Sequence, residues 1–388
     1  MGREIGFQMA TSNIRFGPGV TREVGMDLRD MKLGRVLVVI DPGLKELPPV
    51  TVALQAMEDE GIAFSVFDRV RVEPTDRSIQ AAIEAAQSDR YDGFVAIGGG
   101  SAIDTAKAAN LYSTFPADFL DYVNAPIGKG LPVPGSLKPL VAIPTTAGTG
   151  SETTGVAIFD LSGMRAKTGI AHRRLKPTLG LLDPENTRSM PSEVGASTGL
   201  DVLSHALESY TAIPFAQRSY PERPVLRPAY QGSNPISDVW SLEALRIVAE
   251  YLPRAAEDTE DDEARAQMLL AASYAGVGFG NAGVHLPHGM SYPVSGLVRN
   301  YHAPGYSVDH PMVPHGVSVI LNAPAVFRFT APACPERHLE AAAILGADTS
   351  GKALADAGSI LSDRIVAFMQ RLKLPNGLGG LGYTSRDI

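Results

Sequence analysis

Apolar residues in the first half of the chain fall in short β-branched runs separated by stretches with helical spacing. Val36–Ile40, Ala63–Phe67, Gly93–Ile97 and Leu140–Ile143 read as strands, and the Ala-rich stretches Pro49–Glu60 and Ser78–Ser88 between them favour helix. Strands alternating with helices predict a doubly wound α/β domain with a parallel sheet covered on both faces. Beyond about Asp183 the strand signal fades. Helix formers then dominate Ser192–Ala212, Asp238–Ala256, Glu263–Gly276, Glu336–Leu345 and Lys352–Leu372. A run of helices after a run of strand–helix units predicts a separate all-α domain, dividing the chain into 1–188 and 189–388, where Pro184 and Pro191 punctuate it. Two Pro-rich segments, Ile213–Ile236 and Arg299–Pro314, interrupt the helical half, and loops of that length inside a compact domain are more often functional than idle.

Composition narrows the classes of function. With 34 Lys and Arg against 42 Asp and Glu, the net charge is -8, and no basic run offers the clustered cations that nucleic-acid phosphates require. The longest apolar runs are far short of the roughly 18 to 20 residues that a membrane-spanning helix needs. Cys334 is the single cysteine, so no intrachain disulfide forms, which fits a reducing compartment. Glu4 stands early in an N-terminal stretch without an apolar core, so nothing there reads as a signal peptide. The expectation is a cytoplasmic protein acting on small molecules, with no nucleic-acid or membrane partner; a homo-oligomer is compatible with all of this.

Two loops have the chemistry of a phosphate cradle. Val95–Ser101 carries Gly98, Gly99 and Gly100 from a strand into a helix, whose exposed N–H groups and partial positive charge suit a diphosphate. Its spacing is not the G-x-G-x-x-G fingerprint, and by itself it reads equally well as a tight turn. Ile143–Glu152 follows another strand and adds the hydroxyls of Thr145, Thr146, Thr149 and Ser151. Two such loops at strand ends of one sheet point to a dinucleotide, since ligands collect there. Asp41, closing the strand Val36–Ile40, is placed to accept from a ribose 2′-hydroxyl, which favours NAD over its 2′-phosphorylated form; the alternative is a turn residue before Pro42.

In the helix Ser192–Ala212, Leu200, Leu203, Leu207 and Tyr210 form one apolar stripe, and Asp201, His205 and Glu208 share the opposite face. A carboxylate and an imidazole four residues apart can ligate one cation or bond each other. His288-Gly289 and, 27 residues later, His315-Gly316 stand at expected breaks between helical stretches, where a side chain can turn inward. Three His and one Asp make a nitrogen and oxygen set suited to ferrous iron or zinc, with structural histidines as the alternative.

The motifs Gly98-Gly-Gly-Ser101, Pro144-Thr-Thr-Ala-Gly-Thr149, Asp201-x3-His205, His288-Gly-Met290 and Pro314-His315-Gly316 resemble the iron-containing, group III alcohol dehydrogenases over essentially the whole chain. Ala108–Tyr112, Asp118–Val123, Ala125–Gly130, Arg227–Asp238 and Asn281–Pro293 are similar to the hydroxyacid-oxoacid transhydrogenase branch of that family. The resemblance implies an N-terminal α/β dinucleotide-binding domain and an all-α C-terminal domain, an architecture shared with dehydroquinate synthase, with nicotinamide and metal in a cleft between them. It implies Asp201, His205, His288 and His315 as ligands of a divalent metal, iron first and zinc as the alternative. Around NAD it puts Asp41, Gly98, Gly99, Gly100, Ser101, Asp104, Thr145, Thr146, Thr149 and Lys167.

Two departures stand out. Many family members carry a second His near the reacting carbon where this chain has Tyr292, the candidate catalytic residue, and Arg299–Pro314 lengthens the interval to His315. The branch implies hydride transfer from 4-hydroxybutyrate to 2-oxoglutarate through tightly held NAD, giving succinate semialdehyde and 2-hydroxyglutarate. The alternative is an alcohol dehydrogenase that releases NADH. Arg218, Arg223, Arg227 and Arg299, in the two Pro-rich segments, are expected to recognise substrate carboxylates. For eukaryotic relatives the resemblance implies the mitochondrial matrix.

Overall fold

The computed structural model describes residues 2–164 and 166–387. The outer limits 1 and 388 of the sequence-based division lie outside them. The chain forms two compact units. One comprises Thr11–Thr146 with Gly150–Met190; the other runs from Pro191 onward and also takes the segment ending at Ala10 and the short piece Ala147–Thr149. Neither unit is therefore continuous in sequence, unlike the division at 188.

The first unit contains β1 (Asn13–Phe16), α1 (Val24–Asp30), β2 (Arg35–Ile40), α2 (Pro48–Asp59), β3 (Ala63–Phe67), α3 (Asp76–Gln87), β4 (Gly93–Gly98), α4 (Gly100–Thr114), β5 (Leu140–Pro144), β6 (Val156–Leu161), β7 (Ala166–Ala171) and β8 (Leu179–Leu182). Six strands form a sheet in the order β1-β8-β5-β4-β2-β3, and every pairing in it is parallel. The apolar runs explain why. Val36, Val38 and Ile40 pack on one face against Val24, Leu28, Val50 and Met57. Leu37 and Val39 pack on the other against Ala82, Ala86, Ile103 and Ala106. Residues alternate between two buried faces, so no polar alternation is possible and helices must cover both sides. β6 and β7 form a separate antiparallel hairpin.

β3 lies on one side of β2 and β4 on the other. The chain reverses its winding direction there, and the carboxyl ends of β2 and β4 flank the crevice where doubly wound sheets take ligands.

The second unit is built from α5 (Ser192–Thr211), α6 (Pro235–Glu257), α7 (Asp262–Ala282), α8 (Leu286–Gly296), α9 (His315–Ile320), α10 (Ala323–Thr330), α11 (Pro335–Ile344) and α12 (Ala357–Arg371). α5 packs against α6, α7 and α9, and Val194 to Tyr210 is buried almost all round. The face opposite its leucine stripe thus meets protein rather than water. The N-terminal segment is laced to this unit by side-chain amides. Gln231 exchanges two hydrogen bonds with the Gln8 backbone (2.7 and 2.8 Å), and Asn281 does the same with Ala10 (both 3.0 Å).

Candidate metal centre and dinucleotide-binding loops

Helical periodicity places Asp201 and His205 one turn apart on α5, and the fold brings two histidines from elsewhere to them. Contrary to the expected breaks, His288 stands within the first turn of α8 and His315 is the first residue of α9. One potential ligand atom from each of Asp201, His205, His288 and His315 lies within 4.8 Å of the others. Asp201 Oδ1 is 3.6 Å from His288 Nε2 and 3.8 Å from His315 Nε2, and Asp201 Oδ2 is 3.8 Å from His205 Nδ1. These separations exceed hydrogen-bonding distance. Asp201 Oδ1, His205 Nδ1 and His288 Nε2 are buried without a hydrogen-bond partner. Buried polar atoms left unpaired are costly, and a shared cation satisfies all of them. The donor set fits a divalent metal.

Burial and neighbouring charges act on the candidate ligands in opposite directions. Burial pushes His205 down to about 3, against the pull of Asp201, so its ring is neutral and has a lone pair to give. Burial would raise the Asp201 carboxyl, but His205, His315 and His288 outweigh it and hold the group well below the usual range. His288 moves the other way. Burial opposes its charge, yet the Glu208 and Asp201 carboxylates lift it to about 10. His205 stacks between Phe279 (centroids 3.9 Å apart, 7° between planes) and His288 (4.6 Å). A Cβ on Gly316 would lie 2.0 Å from the Ser197 carbonyl oxygen, so only glycine lets α9 approach α5 this closely. Gly289 has open space around it.

Sequence reasoning put Glu208 on the ligand face and gave it no task. It is fully buried, and Oε1 lies 2.5 Å from His288 Nδ1 while Oε2 accepts from the His285 backbone N–H at 2.6 Å. Its spacing of seven residues from Asp201 was the available signal. Phe279 offered none, since an aromatic in an apolar helix reads as core. Tyr292 is half-buried on α8, four residues after His288.

In the first unit, Asp41, Gly98 and Thr145 meet at three adjacent strand ends. Ile40 pairs with Ile97 and Gly98 with Pro144; Asp41 N–H donates to the Ile97 carbonyl (3.3 Å) and Thr145 N–H to the Gly98 carbonyl (3.1 Å). Gly98 has φ +151°, and a Cβ there would lie 2.8 Å from Ala102 Cβ and 3.4 Å from Asp41 Cβ. Gly99 precedes α4, so the N–H groups of Gly100 and Ser101 open the helix beside Thr146. Asp41 also serves the turn, its Oδ1 accepting from Gly43 N–H at 2.9 Å.

The remaining NAD candidates are placed differently. Thr149 belongs with the helical unit. Asp104 accepts from the Ser151 hydroxyl and from Ile158 N–H (2.9 Å), which pins the second loop to the hairpin. Lys167 is buried between Glu73 (2.7 Å) and Asp160 (3.2 Å), and these carboxylates raise its pKa despite burial. Lys107, overlooked in the Ala-rich α4, is fully buried and donates to Ser151 Oγ (2.8 Å), Thr154 Oγ1 (3.2 Å) and the Val156 carbonyl (2.8 Å). Of the four arginines, Arg227 is paired with Glu4 through two nitrogens (2.8 and 3.0 Å) and Arg299 with Asp387. Arg218 and Arg223 are exposed.

A sequence profile described as iron-containing alcohol dehydrogenase matches residues 11–184, and one for the C-terminal part of the Fe-containing alcohol dehydrogenase family matches residues 229–388. The chain is 59% identical over 387 residues to the mitochondrial hydroxyacid-oxoacid transhydrogenase of Rattus norvegicus, covering 99% of this chain and 83% of the relative. Among solved structures it resembles a 1,3-propanediol oxidoreductase (TM-score 0.85, 26% identity, covering 99% of this chain and 91% of that one). It also resembles the sulfoacetaldehyde reductase of Bifidobacterium kashiwanohense in complex with NAD+ (TM-score 0.78, 27% identity, 99% and 90% covered).

Proposed function

The chain belongs to the iron-containing alcohol dehydrogenase family, and from that premise we propose that it is a hydroxyacid-oxoacid transhydrogenase, an oxidoreductase using NAD and a divalent metal. Identity of 59% across 99% of the chain to a relative of that name carries the reading. The donor is 4-hydroxybutyrate and the acceptor 2-oxoglutarate, giving succinate semialdehyde and 2-hydroxyglutarate. Asp201, His205, His288 and His315 hold the metal, with iron as the resident ion and zinc as its competitor. A bound divalent cation supplies Lewis-acid polarisation of an alcohol or carbonyl oxygen, and nicotinamide supplies the hydride acceptor and donor.

The chain's own residues do the rest. Asp201 contributes the negative charge of the ligand set. Phe279 covers one face of the His205 ring, excluding water and fixing its plane. Asp41 receives the adenosine ribose, and the N–H groups of Gly100 and Ser101 receive the diphosphate. Asp104 and Lys107 act through the loop they anchor, and Lys167 through the hairpin. Tyr292, one turn beyond His288, is assigned to the reacting end of the substrate. Arg218 and Arg223 are left to meet substrate carboxylates, because Arg227 and Arg299 are engaged by Glu4 and Asp387.

No described helix is long and apolar enough to cross a membrane. The rat relative is named as mitochondrial, and we assign this chain to the cytoplasm, or to the matrix in a eukaryote. The test is a stopped assay with 4-hydroxybutyrate and 2-oxoglutarate. Formation of 2-hydroxyglutarate without added NAD and without free NADH is expected. Product that requires added NAD, with NADH accumulating, identifies the ordinary alcohol dehydrogenase instead.

A further inference from the structure

We propose that Glu208 is a positioning residue that locks His288 to the α5 pair Asp201 and His205, a role that rests on the metal reading above. Asp201 and His205 arrive on α5, whereas His288 arrives on α8. A carboxylate with no exposed surface is expensive to bury unless each oxygen is bonded. The bonds that Glu208 makes all go to the start of α8.

Oε1 lies 2.5 Å from His288 Nδ1. Oε2 accepts from the His285 N–H at 2.6 Å and faces the His288 N–H at 3.5 Å. α8 needs such a partner, because its N-cap residue His285 gives no side-chain cap and the first N–H groups of any helix lack internal acceptors. The positive end of the helix dipole favours a carboxylate there. Glu208 therefore caps α8 from another helix, and the same carboxylate fixes one of its imidazoles.

Two consequences follow for His288. With a carboxylate at Nδ1, that nitrogen holds its proton, so Nε2 is the nitrogen that gives up a proton when a cation takes its lone pair. Nε2 is the buried atom without a partner, 3.6 Å from Asp201 Oδ1. Because Glu208 shares α5 with Asp201 and His205, helix geometry sets the distance from the His288 anchor to the other two ligands. The start of α8 cannot shift against α5, and the His288 ring cannot turn, without breaking a charge-assisted bond.

The experiment uses the full-length protein with its metal exchanged for Co2+, read by the visible absorption of the bound ion and by competition with a chelator. The wild type should bind one Co2+ per chain. Glu208→Gln, which keeps an acceptor but loses the charge, should weaken Co2+ binding about tenfold, and Glu208→Ala about a hundredfold, each with an altered visible spectrum. If Glu208→Ala fails to fold, Glu208→Gln decides the matter. Variants that lower the melting temperature of the metal-free protein while leaving Co2+ affinity and spectrum unchanged would show a purely structural carboxylate and overturn the proposal. No Co2+ binding by the wild type would overturn the metal reading and this inference together; tight wild-type binding matched by Glu208→Gln would overturn this inference alone.

Discussion

Asp201, His205, His288 and His315 reach one point from three helices, whereas Asp41, Gly98 and Thr145 stand at the ends of three adjacent strands. The candidate metal centre consists of side chains, and Asp201 Oδ1, His205 Nδ1 and His288 Nε2 are buried there without a hydrogen-bond partner. The dinucleotide loops consist mainly of backbone, already bonded strand to strand, with N–H groups and a helix end left over for an anion. Removing one side chain should therefore cripple the first region, while the second should respond chiefly to atoms added where the backbone must stay bare.

The largest expected effect belongs to the metal centre. His205→Ala should leave less than about a tenth of the wild-type metal and lower kcat by about a thousandfold or more, since Lewis-acid assistance is lost. Elemental analysis showing full metal in this variant would remove His205 from the site.

Next is the opposite test on the loops. Gly98→Ala adds a methyl 2.8 Å from Ala102 Cβ at a backbone φ of +151°, which should cost about 1 to 3 kcal/mol and weaken NAD binding by about ten- to a hundredfold. At Gly99 the nearest atom would be Thr146 Oγ1 at 3.2 Å, so Gly99→Ala should be milder. Equal NAD affinities for the two variants, by calorimetry, would break the argument that bare backbone governs this region. Asp41→Gly should raise NADP affinity relative to NAD by about tenfold, since a like-charge contact is removed. Wild-type protein that binds NADP as well as NAD would deny Asp41 that role.

A smaller effect concerns the lysine beneath the second loop. Burial pushes Lys107 down to about 8 from its ordinary 10.5, with Asp104 and Glu152 only partly opposing. Between those two values the unfolded chain binds more protons than the folded one, so this lysine makes stability rise with pH across that window, by at most about 1.4 kcal/mol per pH unit. Urea midpoints for wild type minus Lys107→Met should therefore climb from pH 8 to pH 10, and a flat difference would show that Lys107 is not buried as a strained cation. The smallest effect is expected at Arg299, whose exposed guanidinium is already paired with the largely buried Asp387 carboxylate. Arg299→Ala should change kcat/KM by less than about twofold for 4-hydroxybutyrate and for 1-butanol alike. A loss confined to the acid would return Arg299 to carboxylate recognition.

Much of the fold was legible because burial writes itself into local sequence. Val36–Ile40 and Gly93–Ile97 are apolar at every position save glycine, which a strand covered on both faces requires. The elements that escaped lack that signature. β1 is a largely exposed edge strand, β8 has only four residues, and α8 contains Pro287 and Pro293, which mask its helical character. The hairpin of β6 and β7 mixes polar residues and glycine because one ladder serves to hold Lys167 and the loop anchored by Asp104.

The same physical distinction separates what the sequence determined from what the tertiary structure decided. Spacing along one helix is fixed by backbone geometry, so the shared face of Asp201, His205 and Glu208 was readable without coordinates. So was the glycine run at the end of a strand. Everything that depends on separate elements meeting was decided by packing. Packing brought His288 and His315 to Asp201 at the starts of two short helices, assigned Glu208 to the start of α8, and laid Phe279 on His205. It also spent Arg227 on Glu4, and Asp104 and Lys107 on the loop between β5 and β6. A lone ionisable residue looks the same in sequence whether its partner is a ligand or another side chain, because partner choice is made by atoms that only the fold brings within about 3 Å.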